Sequence, residues 1–248
     1  YVNISGTAVA MPFVNDVAAV VQAWYLGSEA GNALADVMTG KVNPSGKLPF
    51  TFPVKLEDNG AHALNAYHKD SLTVEYKEGI FVGYRWAEKQ NIKPLFAFGH
   101  GLSYTTFEYG QASCRKSGKG FKVSVDVTNT GSREGKEIVQ LYISDEESSL
   151  ERPVKELKGF KKVFLEPGEK KKVSIELDER AFSYYNVNIC DWHAESGEYK
   201  ILELTEKTIP AERDFAVVDA NGNVVVSDSS KLIVRKDVYE NSESYSID

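Results

Sequence analysis

Apolar positions follow two different spacings along this chain. From Gly120 the period is two. Phe121, Val123, Val125 and Val127 alternate with Lys122, Ser124, Asp126 and Thr128, the pattern of a strand with one wet face. Asn129-Thr130-Gly131 predicts a turn, and Val139, Leu141 and Ile143 form the next inward row. Further strands are expected over Lys158 to Leu165, around Val173, Ile175 and Leu177, and over Tyr199 to Leu204. Glu166-Pro167-Gly168-Glu169 places Pro and Gly where a type II turn needs them. Short strands separated by turn signals predict a two-sheet β-sandwich. Beyond it, Asp214 to Asp219 and Asn223 to Ser227 flank Ala220-Asn221-Gly222, a hairpin signal. Residues 236–248 are acidic and rich in Ser and Asn, and read as a tail or linker.

The first fifty residues have another rhythm. Val2, Ile4, Val9 and Met11 predict a strand that ends at Pro12, and Val14 to Tyr25 a short helix or turn leading into a buried strand that ends at Trp24-Tyr25. A helix is expected from about Glu29 to Met38, with Ser28 capping it. Ala30, Ala33, Leu34, Val37 and Met38 form its stripe, and Gly40 stands at its stop. Leu48 to Phe52, bracketed by Pro49 and Pro53, is extended and suits only an edge or a surface strap. This β–α–β order belongs to an α/β sheet, yet a parallel sheet needs several strands and helices on both faces. The segment therefore reads as the end of a domain whose larger part lies elsewhere, with its apolar faces covered by another stretch of polypeptide.

Between these parts, Glu57 to Ser71 is polar and reads as a long surface loop. Ile80-Phe81-Val82-Gly83-Tyr84-Arg85-Trp86 carries the aromatic and β-branched residues of a strand. Gly99 and Gly101, one residue apart, predict a tight backbone crossing between two packed bodies, a rigid junction.

Composition narrows the function. The net charge of −7, from 36 acids against 29 bases, argues against nucleic acid and anionic membranes as partners. No apolar run approaches the ~18 residues that span a bilayer. Cys114 and Cys190 read as two reduced thiols, with a single bridge between strands as the alternative. His62, His68, His100 and His193 show no metal-ligand spacing, so neither a metal site nor a cofactor is expected.

Several ordered motifs carry a resemblance. Gln22-Ala23-Trp24-Tyr25, the run from Glu29 to Val37 and Gly40-Lys41-Val42-Asn43-Pro44-Ser45-Gly46-Lys47-Leu48-Pro49 resemble the end of the α/β-sandwich domain of glycoside hydrolase family 3. Gly79-Ile80-Phe81-Val82-Gly83-Tyr84-Arg85 and Phe98-Gly99-His100-Gly101-Leu102-Ser103-Tyr104-Thr105 resemble that family's connection into its fibronectin type III-like domain. Val127 to Gly131, Glu137, Gln140-Leu141-Tyr142 and Glu156-Leu157-Lys158-Gly159-Phe160 resemble the start of that domain. The match covers about residues 1–204. His100 departs from the family, which commonly has an aromatic residue there.

The expected fold class is thus a partial α/β-sandwich sheet followed by an all-β sandwich of immunoglobulin or fibronectin type III-like form. Residues 1–56 are expected to end the α/β domain, 57–106 to form a loop and connecting segment, 107–219 the β-sandwich, and 220–248 a hairpin extension and acidic tail. The resemblance implies a retaining, exo-acting β-glucosidase, in which one carboxylate is the nucleophile and a second carboxyl group the acid/base. In the family both lie in segments absent from this sequence, the nucleophile in a (β/α)-barrel domain and the acid/base Glu earlier in the α/β-sandwich domain. No position here matches either motif, so no catalytic residue is assigned and the chain alone is expected to be inactive. Its implied partners are the missing barrel and N-terminal α/β segments and a β-glucoside substrate. The alternative reading is a non-catalytic carbohydrate- or protein-binding module.

Single residues are weighed against bland roles. Glu29 at a helix start reads as a dipole and cap residue rather than a general acid. Trp24, Tyr25, Tyr84, Trp86 and Trp192 are potential sugar-stacking platforms, though aromatics in such strands usually fill cores. Trp86 is the candidate substrate-binding residue, being outside the regular strand rows. Lys170-Lys171-Lys172 reads as a solvated strand edge.

Overall fold

The computed structural model describes residues 1–67, 72–145 and 147–204, together with the strand pieces 213–215, 217–218, 224–225 and 232–234. It forms two compact units, Tyr1–Tyr104 and Thr105–Asp248.

In the first unit, β1 (Val2–Asn3) runs parallel to β2 (Val21–Gln22), and helix α1 (Ala30–Met38) comes next. These are the β–α elements expected from the early rhythm, with differences at their ends. β2 stops at Gln22 because Trp24 has a positive φ of 54°, which turns the chain and leaves Tyr25 78% exposed. Ser28 does not cap the helix. It lies inside a 3-10 turn, Gly27–Glu29, and no side chain bonds the helix start. Glu29 instead accepts a hydrogen bond from Asn32 at 2.7 Å. None of the α1 side chains is fully buried: among the described residues Ala30, Leu34 and Val37 are only partly covered, and Ala33 and Met38 are exposed.

Two expectations between residues 57 and 86 are corrected. The 57–71 segment is not a plain loop. It holds a 3-10 turn, Leu56–Asp58, and helix α2 (Gly60–Ala63), whose first turn is capped by Asn59 Oδ1 accepting from Ala61 N at 3.1 Å. Residues 68–71 of it lie outside the described residues. The aromatic run up to Trp86 is not a strand either. Gly83, at φ 65°, breaks it, and Tyr84–Lys89 forms helix α3. Ala87, Glu88, Lys89 and Gln90 are good helix formers, and Trp86 and Ala87 are the buried residues of the helix.

The Leu48–Phe52 segment is an extended strap, as its prolines required. Leu48 N donates to the His100 carbonyl and Gly99 N donates to the Leu48 carbonyl, while Phe52 bridges Phe96. The close glycine crossing is real but falls inside the first unit rather than between two bodies. A Cβ on Gly101 would overlap the Gly46 carbonyl oxygen, and Gly99 has a φ of 83°. Even Gly101→Ala is therefore expected to destabilise this unit by about 1–3 kcal/mol through overpacking. An unchanged urea midpoint would show that the contact is not held in solution.

The second unit is a β-sandwich. One sheet has β5 (Gly120–Asn129) at its centre, with β3 (Phe107–Tyr109) and β4 (Ser113–Ser117) on one side and β8 (Lys170–Leu177) on the other, all antiparallel. The other sheet places β6 (Gly135–Asp145) between β7 (Glu156–Leu165) and β11 (Gly197–Leu204). β11 also pairs with β12 (Arg213–Phe215) and β15 (Leu232–Val234). The alternation read in the sequence sets the faces: Phe121, Val123, Val125 and Val127 are each 5% exposed or less, and Val139, Leu141 and Ile143 3% or less. Burying each such side chain is worth about 1.5–3 kcal/mol. A bulge between Leu141 and Tyr142 lets both residues point into packed surroundings, and both are essentially buried.

Lys170-Lys171-Lys172 lies on β8 at the border of its sheet. Cys114 is buried and Cys190 exposed, and both are free thiols. β13 (Val217–Val218) and β14 (Val224–Val225) pair antiparallel on either side of the Asn221-Gly222 signal. The turn itself and the 236–248 tail lie outside the described residues.

Strands β3, β4 and β15 were not read from the sequence, nor were helix α4 (Glu179–Phe182), capped by Asp178 accepting from Ala181 N at 3.0 Å, and a hairpin of β9 (Tyr184–Asn186) and β10 (Asp191–His193).

Candidate functional site

In the first unit the family-like motifs fold onto one another. Asn43 Oδ1 accepts from Ser103 Oγ at 3.0 Å and Tyr104 N at 2.8 Å, and the Tyr104 hydroxyl donates to the Val37 carbonyl at 2.9 Å. Lys47 Nζ donates to the Gly101 carbonyl at 2.7 Å. The Asn-Pro-Ser-Gly-Lys turn and the Gly-His-Gly-Leu-Ser-Tyr run are thus two halves of one hydrogen-bonded clasp. His100 stacks on Phe96 with centroids 5.6 Å apart.

The aromatic candidates separate by environment. Trp86 is 9% exposed, on α3, and a Cβ on Gly60 would lie 3.0 Å from its Cδ2. With Thr51, Asn59 and Pro94 it lines a cavity of about 30 Å³. Trp24 meets Phe50 edge to face, Tyr84 stacks on Phe98 at 4.8 Å, and Tyr25 stands in the open. The acids considered from the sequence have ordinary surroundings. Asp36 pairs with Lys41 at 2.9 Å, and Asp16 ends a 3-10 turn. Among the described residues no group of three or more His, Cys, Asp or Glu is placed to hold a metal ion, and no helix is long and apolar enough to cross a membrane.

The second unit brings together groups that sequence reasoning missed. Arg152 lies between two carboxylates, with Nη1 2.7 Å from Asp145 Oδ2 and Nη2 2.9 Å from Glu156 Oε2. Burial pushes the Asp145 carboxyl above the usual range, and the Arg152 charge and hydrogen bond pull it only partly back. Glu195 is a knot between segments: it accepts from Ser149 N at 2.8 Å, from the Ser149 hydroxyl, and from the Tyr184 hydroxyl at 2.8 Å. Burial pushes Glu195 up, but those hydrogen bonds and the nearby His193 outweigh it, so the carboxyl sits below its usual range. Beside this knot, α4 and β10 border an open cleft of about 1650 Å³. Asp178 before Glu-Arg-Ala-Phe was a readable helix start. The ion network had no local signal, since its members are seven and four residues apart on different elements.

A short parallel α/β piece joined in sequence to an antiparallel β-sandwich defines the class: an α/β-plus-sandwich protein. Residues 1–104 match the glycosyl hydrolase family 3 C-terminal domain and residues 137–203 the fibronectin type III-like domain. The chain belongs to glycoside hydrolase family 3, as its C-terminal region.

Its relatives include thermostable beta-glucosidase B of Acetivibrio thermocellus, 46% identical over 100% of this chain and 35% of that protein. A beta-glucosidase of Kluyveromyces marxianus is 52% identical over 87% of this chain and 26% of its own length. Among solved structures, the K. marxianus beta-glucosidase in complex with glucose superposes with a TM-score of 0.78 at 45% identity, over 94% of this chain and 27% of that one. The GH3 beta-glucosidase of Bifidobacterium adolescentis gives 0.79 at 34% identity, over 100% and 34%. The chain therefore spans about a third or less of the length of these relatives.

Proposed function

We propose that this chain is the C-terminal scaffold portion of a retaining, exo-acting β-glucosidase that hydrolyses terminal β-D-glucosyl residues, with the catalytic Asp and Glu supplied outside it. The observation that carries this reading is the bare face of the first unit. α1 has an apolar stripe and no buried residue, and Met38 is 62% exposed. β1 and β2 make only a two-stranded parallel sheet. Parallel sheets occur with both faces covered, so this half-sheet requires further strands and helices, and the longer relatives have the chain length to supply them.

In this reading residues 1–104 complete the α/β domain that holds the acid/base Glu, and the clasp of Asn43, Lys47 and Tyr104 fixes its last strap. Trp86 remains, in this reading, the residue proposed to approach the substrate-facing rim, and it also packs α3 against Gly60.

The test is reconstitution. This chain alone is expected to leave a chromogenic β-glucoside intact, and co-expression with the missing α/β and barrel segments to restore turnover. Turnover by this chain alone, or none from the reassembled protein, would sink the reading.

A further inference from the structure

The hairpin of β9 and β10 carries more exposed apolar surface than a sandwich loop needs. Tyr185 is 51% exposed, Val187 74%, Ile189 44% and Trp192 39%. Tyr185 and Trp192 form a cross-strand pair at 5.9 Å, nearly perpendicular, and the Arg180 guanidinium lies over the Trp192 ring, 4.2 Å from its centroid. Arg180 belongs to α4, so two elements build one panel of indole and guanidinium. The panel stands in the open cleft whose margins carry Lys119, Glu176, Asp178, Glu179 and Asp191.

We infer that this cleft is a binding site for a neutral β-glucan chain. Three observations select that ligand. A pyranose ring is apolar on its faces and hydroxylated around its edge, so it needs a flat aromatic surface bordered by charged donors and acceptors. Trp192 with Arg180 supplies the surface; Lys119, Glu179 and Asp191 supply the border. The cleft charges are mixed, with Lys119, Lys158 and Arg180 among five acids, Glu176, Asp178, Glu179, Asp191 and Glu195, so a polyanion such as nucleic acid or a phosphorylated glycan is disfavoured. The volume of about 1650 Å³ exceeds the ~300–1,000 Å³ of small-molecule pockets, which suits several sugar rings rather than one. The choice of glucan among neutral glycans rests on the glucosidase reading above; the aromatic panel does not.

The experiment is affinity electrophoresis of the full-length protein in native gels containing soluble mixed-linkage β-glucan, with glucose added to occupy the catalytic pocket. The wild type is expected to be retarded. Trp192→Ala and Arg180→Ala should each weaken retention roughly tenfold, equivalent to about 1.4 kcal/mol, while Phe160→Ala on β7, exposed but outside the cleft, should change nothing. Hydrolysis of a nitrophenyl β-glucoside should be the same in all four proteins. Should Trp192→Ala lower the thermal midpoint, the exposed Arg180 variant decides. An unretarded wild type, or full retardation of a folded Trp192→Ala or Arg180→Ala protein, overturns the proposal. A wild type that is retarded but does not turn over the small glucoside supports this site and refutes the glucosidase reading instead.

Discussion

Replacing Asn129 with alanine is expected to destabilise the second unit by about 3–5 kcal/mol, a drop in unfolding temperature on the order of 10 °C. Asn129 is fully buried at the end of β5 and uses every hydrogen-bonding position of its amide. Its Oδ1 accepts from the Thr105 hydroxyl at 2.7 Å and from Gly131 N at 3.1 Å. Its Nδ2 donates to the Arg133 carbonyl at 2.7 Å and the Leu165 carbonyl at 3.1 Å. Alanine leaves these four partners without the amide in a place where water has little access. A second variant separates hydrogen bonding from packing. Asn129→Asp keeps the volume but turns an acceptor toward two carbonyl oxygens, so it should be at least as damaging as alanine. Thermal unfolding followed by circular dichroism checks both, and an aspartate variant close to wild type would show that shape alone is required.

Arg152→Met is expected to cost a similar amount, about 3–5 kcal/mol, because it leaves a buried charge uncompensated. The Arg152 side chain is 6% exposed and that of Asp145 2%. Arg152 also donates to the Phe182 carbonyl at 3.3 Å and sits 5.6 Å from the Tyr184 ring centroid, so it ties β6, α4 and β9 together. The loss falls mainly on one partner. Glu156 keeps Lys158 at 3.3 Å, whereas Asp145 loses the charge that offsets its burial. Adding Asp145→Asn to Arg152→Met should therefore recover much of the loss. Urea titrations of the two variants decide it: a double variant no more stable than the single one would mean that lost packing, not stranded charge, sets the cost.

The fold was legible wherever one residue's environment repeats along an element. The period-two rows of β5 and β6 put their apolar residues inward as read; in β5 the alternate positions are only partly buried, whereas in β6 the positions between, Gln140, Tyr142 and Ser144, are buried too. The prolines around Leu48 to Phe52 limited that segment to a strap. Errors came where residues downstream of a short segment decide its conformation. The aromatic run before Gly83 looked like a strand because the helix-forming Ala-Glu-Lys-Gln lay just beyond it. Asn59-Gly60 suggested a loop, yet Asn59 caps α2 and Gly60 gives Trp86 room. Of the candidate residues, Trp192 was named among the aromatics, but its panel was not foreseeable. Arg180 lies twelve positions earlier on another element, and only tertiary packing lays one upon the other. The Glu195 knot was hidden for the same reason, since its Ser149 partner is 46 residues away.

The clasp of the first unit also has a consequence during synthesis. Lys47 meets Gly101 across 54 residues, and Leu48 meets Gly99 and His100 beside it. At a translation rate of roughly 5–20 residues per second, the Leu48 strap waits several seconds on the ribosome before its partner exists. Through that interval the backbone from Leu48 to Phe52 is an unclosed edge, and Pro49 and Pro53, which cannot donate to a neighbouring strand, keep it from pairing with another nascent chain.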